Sequence, residues 1–212
     1  MNKNLSHIYT EHHANNREKG FSIMKDERSL LLKELIGSGK KVLDIGCRDG
    51  ALTKCFVDGN YVLGIDIDDN ALAEAKRSLG IETMNIDLNG DWQELGDRKF
   101  DVIVAGEVLE HLYYPDLVAL KVKNHLEAGG VFVGSVPNAF SYKNRLRYLK
   151  GQKKYTPLSD PTHINQFSYR ELKWVLEKYF KNVEIVGLGR YSRLSRLFPN
   201  AIAFDLFFKV TK

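Results

Sequence analysis

The stretch Lys40-Lys41-Val42-Leu43-Asp44-Ile45-Gly46-Cys47-Arg48-Asp49-Gly50 decides the fold. Val42, Leu43 and Ile45 are the branched apolar residues of a strand buried on both faces. Gly46 and Gly50 then let the chain turn sharply and a ligand approach the backbone. In an open α/β sheet such a turn lies at the carboxyl ends of the strands, where ligands bind. The spacing excludes two nucleotide loops. A dinucleotide fingerprint needs glycine at the third and sixth positions of the turn, and counting from Gly46 these are Arg48 and Ala51. A Walker A loop needs a Gly-Lys-Ser/Thr ending, which is missing.

The 212 residues suffice for one domain, 1–212, with a full sheet and two helix layers. The hydrophobic share of 43% and charged share of 27% are those of an ordinary globular protein, and the net charge of +4 is mildly basic. Cys47 and Cys55 are too few for a disulfide framework and suit a reducing interior. No apolar run spans a membrane and the polar N-terminus does not read as a signal peptide, so a cytoplasmic location is expected. Residues 1–25, with His7, His12 and His13, read as a tail or lid.

Outward from the central turn, strands and helices alternate. A helix precedes it, with Leu31, Leu32, Leu35 and Ile36 on helical spacing. A second helix is expected from Ala51 to Gly59, and a third follows Asp69 as N-cap and stops at Gly80. Further strands read at 61–66, 81–86, 99–105 and 131–136, and Pro115 opens a helix reaching Leu126, closed by Gly129-Gly130. After Pro137 a basic insertion or cap, 138–167, interrupts the alternation. Ser168-x-x-Glu171 is a capping box, and strands return at 183–188 and 201–210. Alternation of this kind implies a parallel sheet.

Asp66 ends the second strand about twenty residues after the glycine turn, where a carboxylate accepts hydrogen bonds from two ribose hydroxyls. The alternative is a helix-starting aspartate, but Asp68 and Asp69 compete for that role, and with the Gly46 loop in register the ribose role is favoured. Ile67 would lie against an adenine face. Asp87, after the third strand, reads as a plain loop residue, with Leu88 as a pocket wall.

Asp44-x-Gly46-x-x-x-Gly50, Gly106-Glu107-Val108-Leu109-Glu110-His111-Leu112 and Gly129-Gly130 through Pro137-Asn138 occur in order. Together they resemble class I S-adenosylmethionine-dependent methyltransferases, in particular the ubiquinone-biosynthesis O-methyltransferases. The resemblance covers roughly residues 26–138. It implies a Rossmann-like α/β fold: a seven-stranded, mostly parallel sheet with helices on both faces and the last strand antiparallel. It implies S-adenosylmethionine as cofactor, with Asp44, Gly46, Cys47 and Gly50 beside its methionine and ribose portions. Asp66, Ile67, Asp87 and Leu88 would serve its nucleoside and Glu107 its sulfonium end. A small-molecule acceptor methylated at oxygen is then expected, and its hydroxyl must lose a proton.

His111 and His163 are the candidate bases. Glu107, Glu110 and His111 stand at i, i+3 and i+4, and share a face if a helical turn begins there. With His163 they are also candidates to hold a divalent metal, as in the small-RNA terminal 2′-O-methyltransferases; this is the less favoured reading. A metal-dependent RNA-end methyltransferase and a non-catalytic nucleotide-binding module are the alternatives. Between 140 and 155 six Lys and Arg residues interleave with Phe140, Tyr142, Tyr148 and Tyr155, without an acid. Arg190, Arg193 and Arg196 form a second basic group. The segment reads as a cap over the acceptor, an anionic or membrane-surface contact, an RNA contact, or a solvated face. The oligomeric state is open.

Overall fold

The computed structural model describes residues 24–212, so the expected tail or lid, with its three histidines, lies outside the described residues except for Met24 and Lys25. Seven strands follow the order β3-β2-β1-β4-β5-β7-β6, as the class I resemblance implies. The chain divides into two compact units between Val104 and Ala105.

The first unit opens with α1 (Lys25–Ile36) and β1 (Lys41–Ile45). Arg28, Leu32 and Ile36 form the buried stripe of α1, whereas Leu35, expected inside, is exposed. β1 pairs in parallel with β2 (Tyr61–Asp66) on one side and β4 (Phe100–Gly106) on the other. β3 (Glu82–Asn85) extends the sheet beyond β2, again parallel. Val42, Leu43, Ile45, Leu63 and Ile65 are fully buried, as central parallel strands require.

Two expectations change here. The helix expected from Ala51 is a single 3-10 turn, Thr53–Cys55. Thr53 turns inward to bond Asp44, and the Asn60 amide, not a helical N–H, donates to the carbonyls of Phe56 and Gly37. In α2 (Asp69–Leu79) the N-cap is Asp68, not Asp69. Asp68 is extended and its Oδ1 accepts from the N–H groups of Asn70 and Ala71, while Asp69 bonds Asn85. Gly80 ends the helix in the left-handed conformation, as expected.

The second unit contains α3 (Pro115–His125), which passes directly into β5 (Leu126–Pro137). Gly129 and Gly130 therefore lie inside the strand and do not stop the helix; Gly130 accepts from the Lys212 N–H. A helix, α4 (Tyr142–Leu149), occupies the expected interruption, with Ser141 as N-cap. The capping box of α5 (Tyr169–Glu177) forms as written in the sequence, burying Leu172, Val175 and Leu176. β6 (Asn182–Leu188), α6 (Ser192–Leu197), α7 (Pro199–Ile202) and β7 (Asp205–Thr211) follow. β7 runs antiparallel to both β5 and β6. Among the described residues no helix is long and apolar enough to cross a membrane.

Candidate active site

The first unit brings the glycine turn and the tip of β2 together. The N–H groups of Gly46 and Cys47 both donate to the Ile65 carbonyl, at 2.7 and 3.2 Å, fixing the turn beside β2. Asp66 then holds the loop through its carboxylate. Oδ2 accepts from the Arg48 N–H at 2.9 Å and Oδ1 from the Asp68 N–H at 3.0 Å. Two backbone donors thus orient the carboxylate.

Arg48 has φ 51° although it is not glycine. Left-handed backbone costs such a residue about 1–2 kcal/mol. Strain of this kind collects at functional sites. Its guanidinium pairs with Asp49 at 3.2 Å. Gly50 has φ 78°, and a Cβ there would meet Leu79 Cδ1 at 2.5 Å. Close packing of α2 against the loop is thus one reason for glycine at this position.

Asp44 is buried beneath the loop and accepts from the Thr53 hydroxyl at 2.6 Å. Burial raises its carboxyl from 3.8 to about 7; the Thr53 hydrogen bond opposes the shift and the Asp66 charge adds to it. Cys47 turns its thiol inward, where a Cβ on Gly64 would lie 2.7 Å from the sulfur. Burial also pushes that thiol well above its ordinary value. Cys47 is thus a packing residue by its side chain. Asp87 uses Oδ1 to accept from the Asn89 N–H at 2.9 Å, the turn role weighed above. Leu88 is buried and Ile67 half-buried.

The second unit holds the remaining candidates. Glu107 follows β4 with φ 62°. Its N–H donates to the Ser135 carbonyl at 3.0 Å, and its Oε1 accepts from the Ser135 hydroxyl at 2.9 Å. Leu109–His111 is a 3-10 turn, so the expected i, i+3, i+4 face does not form as an α-helical one. Glu110, His111 and His163 nevertheless converge, with one ligand atom from each within 4.8 Å of the others. Glu107, grouped with them in the sequence, is not part of this cluster.

The loop bearing His163 is docked by Asn165. Its N–H donates to the Glu110 carbonyl at 2.8 Å, and its amide donates to the Leu112 carbonyl. His111 Nδ1 lies 2.9 Å from the Thr162 carbonyl, and His163 Nδ1 lies 3.1 Å from the Pro157 carbonyl. A carbonyl only accepts, so Nδ1 of each ring carries a proton, and in the neutral form of either ring the lone pair is on Nε2. The rings meet edge to face at 4.8 Å. His111 Nε2 is 3.8 Å from Glu110 Oε1, and His163 Nε2 is 3.7 Å from Asp160 Oδ2. Thr53, Ser135 and the carbonyls of Pro157 and Thr162 had no sequence signal, because their partners are set by tertiary packing.

Comparison with known proteins identifies the fold and its cofactor. Residues 16–185 match the family described as "Methyltransferase domain". The chain is 30% identical over 161 residues to a ubiquinone biosynthesis O-methyltransferase of Glaesserella parasuis, covering 70% of this chain and 68% of that one. It is 28% identical over 180 residues to the protein of the same name from Erwinia tasmaniensis, covering 81% and 74%. Among solved structures, the N-methyltransferase NodS of Bradyrhizobium japonicum, in complex with S-adenosyl-L-homocysteine, superposes with a TM-score of 0.68. That match has 18% identity and covers 99% of each chain, so it speaks for the fold. The chain belongs to the methyltransferase-domain family and is a class I S-adenosylmethionine-dependent methyltransferase.

Proposed function

We propose that this enzyme methylates a hydroxyl of a small-molecule acceptor, with the histidine pair as its acid–base machinery. The cofactor supplies a methyl group already activated by a positive sulfur, so the protein's tasks are to position the acceptor, exclude water and take up a proton. Asp66 and the 46–50 loop hold the nucleoside in this reading, with Ile67 and Leu88 as apolar walls and Glu107 toward the sulfonium end. The bound cofactor would supply the methyl group, and the imidazole Nε2 of His111 or His163 would take up the proton that the acceptor hydroxyl loses. Glu110 then steadies the imidazolium. The observation that carries the reading is the tautomer. Two backbone carbonyls accept from both Nδ1 groups, so Nε2 is the basic nitrogen of each neutral ring, and one nitrogen of each ring lies in the cluster with Glu110. Kinship with the ubiquinone biosynthesis O-methyltransferases supports oxygen as the acceptor atom.

The test is substitution of His111 and His163, singly and together, by Gln. Affinity for S-adenosylhomocysteine should stay within about twofold, while transfer to hydroxylated aromatic acceptors falls about a hundredfold or more. Unchanged transfer in the double variant overturns the proposal.

A second reading of the same cluster rests on one observation. Metal-binding histidines ordinarily donate their other ring N–H to a carbonyl or carboxylate, and both do so here. Glu110, His111 and His163 would hold a divalent cation that acidifies the acceptor hydroxyl, and the end of an RNA then enters the range of acceptors. Methyl transfer that survives exhaustive chelation favours the base. Transfer lost on chelation and restored by a divalent salt favours the metal.

A further inference from the structure

We propose that Asn165 is a positioning residue: it clamps the two carbonyls that flank His111 and so holds the histidine pair in register. The inference rests on the acid–base reading of that pair and adds the device that keeps its two halves together. His111 stands on the turn after β4 and His163 on the loop before α5. Two groups so distant in the chain act as one unit only when their separation is fixed. A displacement of about 1 Å can cost about a hundredfold in rate.

The turn creates the need. In Leu109–His111 the carbonyls of Val108 and Leu109 accept from the His111 and Leu112 N–H groups, at 3.0 and 3.4 Å. A single 3-10 turn has no further N–H to give, so the carbonyls that follow need partners from elsewhere. Asn165 supplies two. Its N–H donates to the Glu110 carbonyl at 2.8 Å, and its side-chain amide donates to the Leu112 carbonyl. One residue thus brackets His111 from both sides in the chain. Asparagine suits the task because its short side chain carries N–H donors beside the backbone one. Aspartate has the same shape and, when ionised, no side-chain donor.

The rest of the loop is held independently of the turn. Asp160 Oδ1 accepts from the Thr162 N–H and hydroxyl, at 2.9 and 2.6 Å. The Gln166 amide donates to the His163 carbonyl at 3.1 Å. Buried Phe167 ties the far end to the chain just after β5, accepting from the Ala139 N–H at 3.0 Å. His163 Nδ1 also bonds inside this segment, to the Pro157 carbonyl. His111 Nδ1 instead bonds across to the loop, at the Thr162 carbonyl. The two histidines therefore depend on the clamp unequally. With Asn165 replaced, His163 keeps its partner, whereas His111 keeps its own only while the loop stays docked.

The full-length protein is compared with its Asn165→Asp and Asn165→Ala variants. In both, kcat for transfer to a hydroxylated aromatic acceptor should fall at least about tenfold. Acceptor KM and S-adenosylhomocysteine affinity should stay within about twofold. The second readout needs no turnover. Long-range proton–nitrogen correlation spectra of the imidazoles are recorded at about pH 8.5, where ordinary histidines are neutral. Both wild-type rings should be protonated at Nδ1. In the variants His163 should keep that tautomer and His111 should become a mixture of the two. An unchanged kcat overturns the proposal, and so does an unchanged His111 tautomer. Loss of both tautomers together also overturns it, because that marks a general loosening. Transfer retained by the His111→Gln/His163→Gln protein defeats the acid–base reading instead, and the His111 tautomer in Asn165→Asp tells that failure apart from failure of the clamp.

Discussion

Replacing Asp44 by Asn should stabilise the ligand-free protein at high pH and leave it nearly unchanged at low pH. The carboxyl is buried and its pKa rises from 3.8 to about 7, first through burial and further through Asp66, with Thr53 opposing. The folded state therefore binds this proton more tightly than the unfolded chain. The stability contributed is fully present below 3.8 and is lost as pH rises through about 7. One pH unit of differential titration corresponds to 1.36 kcal/mol, so between about pH 5.5 and 8.5 the wild type should lose about 2 kcal/mol relative to the Asn variant. Asn still presents an oxygen to the Thr53 hydroxyl, which keeps the comparison close to a removal of charge alone. Urea unfolding followed by circular dichroism, on both proteins across that range, reads the difference directly. A difference that is flat with pH, or a variant that loses stability as pH rises, refutes the burial argument.

Thr53→Val removes the 2.6 Å hydrogen bond to Asp44 and should cost about 1–3 kcal/mol by denaturant unfolding. Because that bond is what lowers the Asp44 pKa, the variant should also lose more stability above pH 7 than the wild type does. Gly134→Ala places a Cβ 2.2 Å from the Ala105 carbonyl and 2.6 Å from the Phe208 ring. It should destabilise by about 1–3 kcal/mol or more, read as a lowered unfolding midpoint; an unchanged midpoint contradicts the packing.

The core strands were legible in the sequence because Val42-Leu43-x-Ile45 and Val62-Leu63-x-Ile65 are buried on both faces and carry no competing signal. The Ser168 capping box was legible because both halves of it are local. The failures share a cause. The helix expected after Gly50 gave way to Thr53 and Asn60, whose side chains answer to Asp44 and Gly37, outside the segment itself. Gly129-Gly130 reads as a helix stop, yet β5 carries it because Gly130 pairs with Lys212 at the far end of the chain.

At the candidate site the residue types were readable, but their grouping was not. Glu107, Glu110 and His111 stand at helical spacing. A left-handed Glu107 and a 3-10 turn divide them, sending one carboxylate to Ser135 and the others toward His163. That Asp66 grips the loop through the Arg48 N–H follows from a φ of 51° that no propensity assigns to arginine.

The central claim is that the 46–50 loop and Asp66 form the adenosyl cradle. Titration calorimetry with S-adenosylhomocysteine on the wild type and on Asp66→Asn tests it most directly, with circular dichroism confirming that both are folded. Binding by the wild type and an affinity at least about tenfold weaker in the variant is the predicted result, since an amide accepts hydroxyl donors less strongly than a carboxylate. Equal affinities, or no heat of binding from the folded wild type, would contradict it.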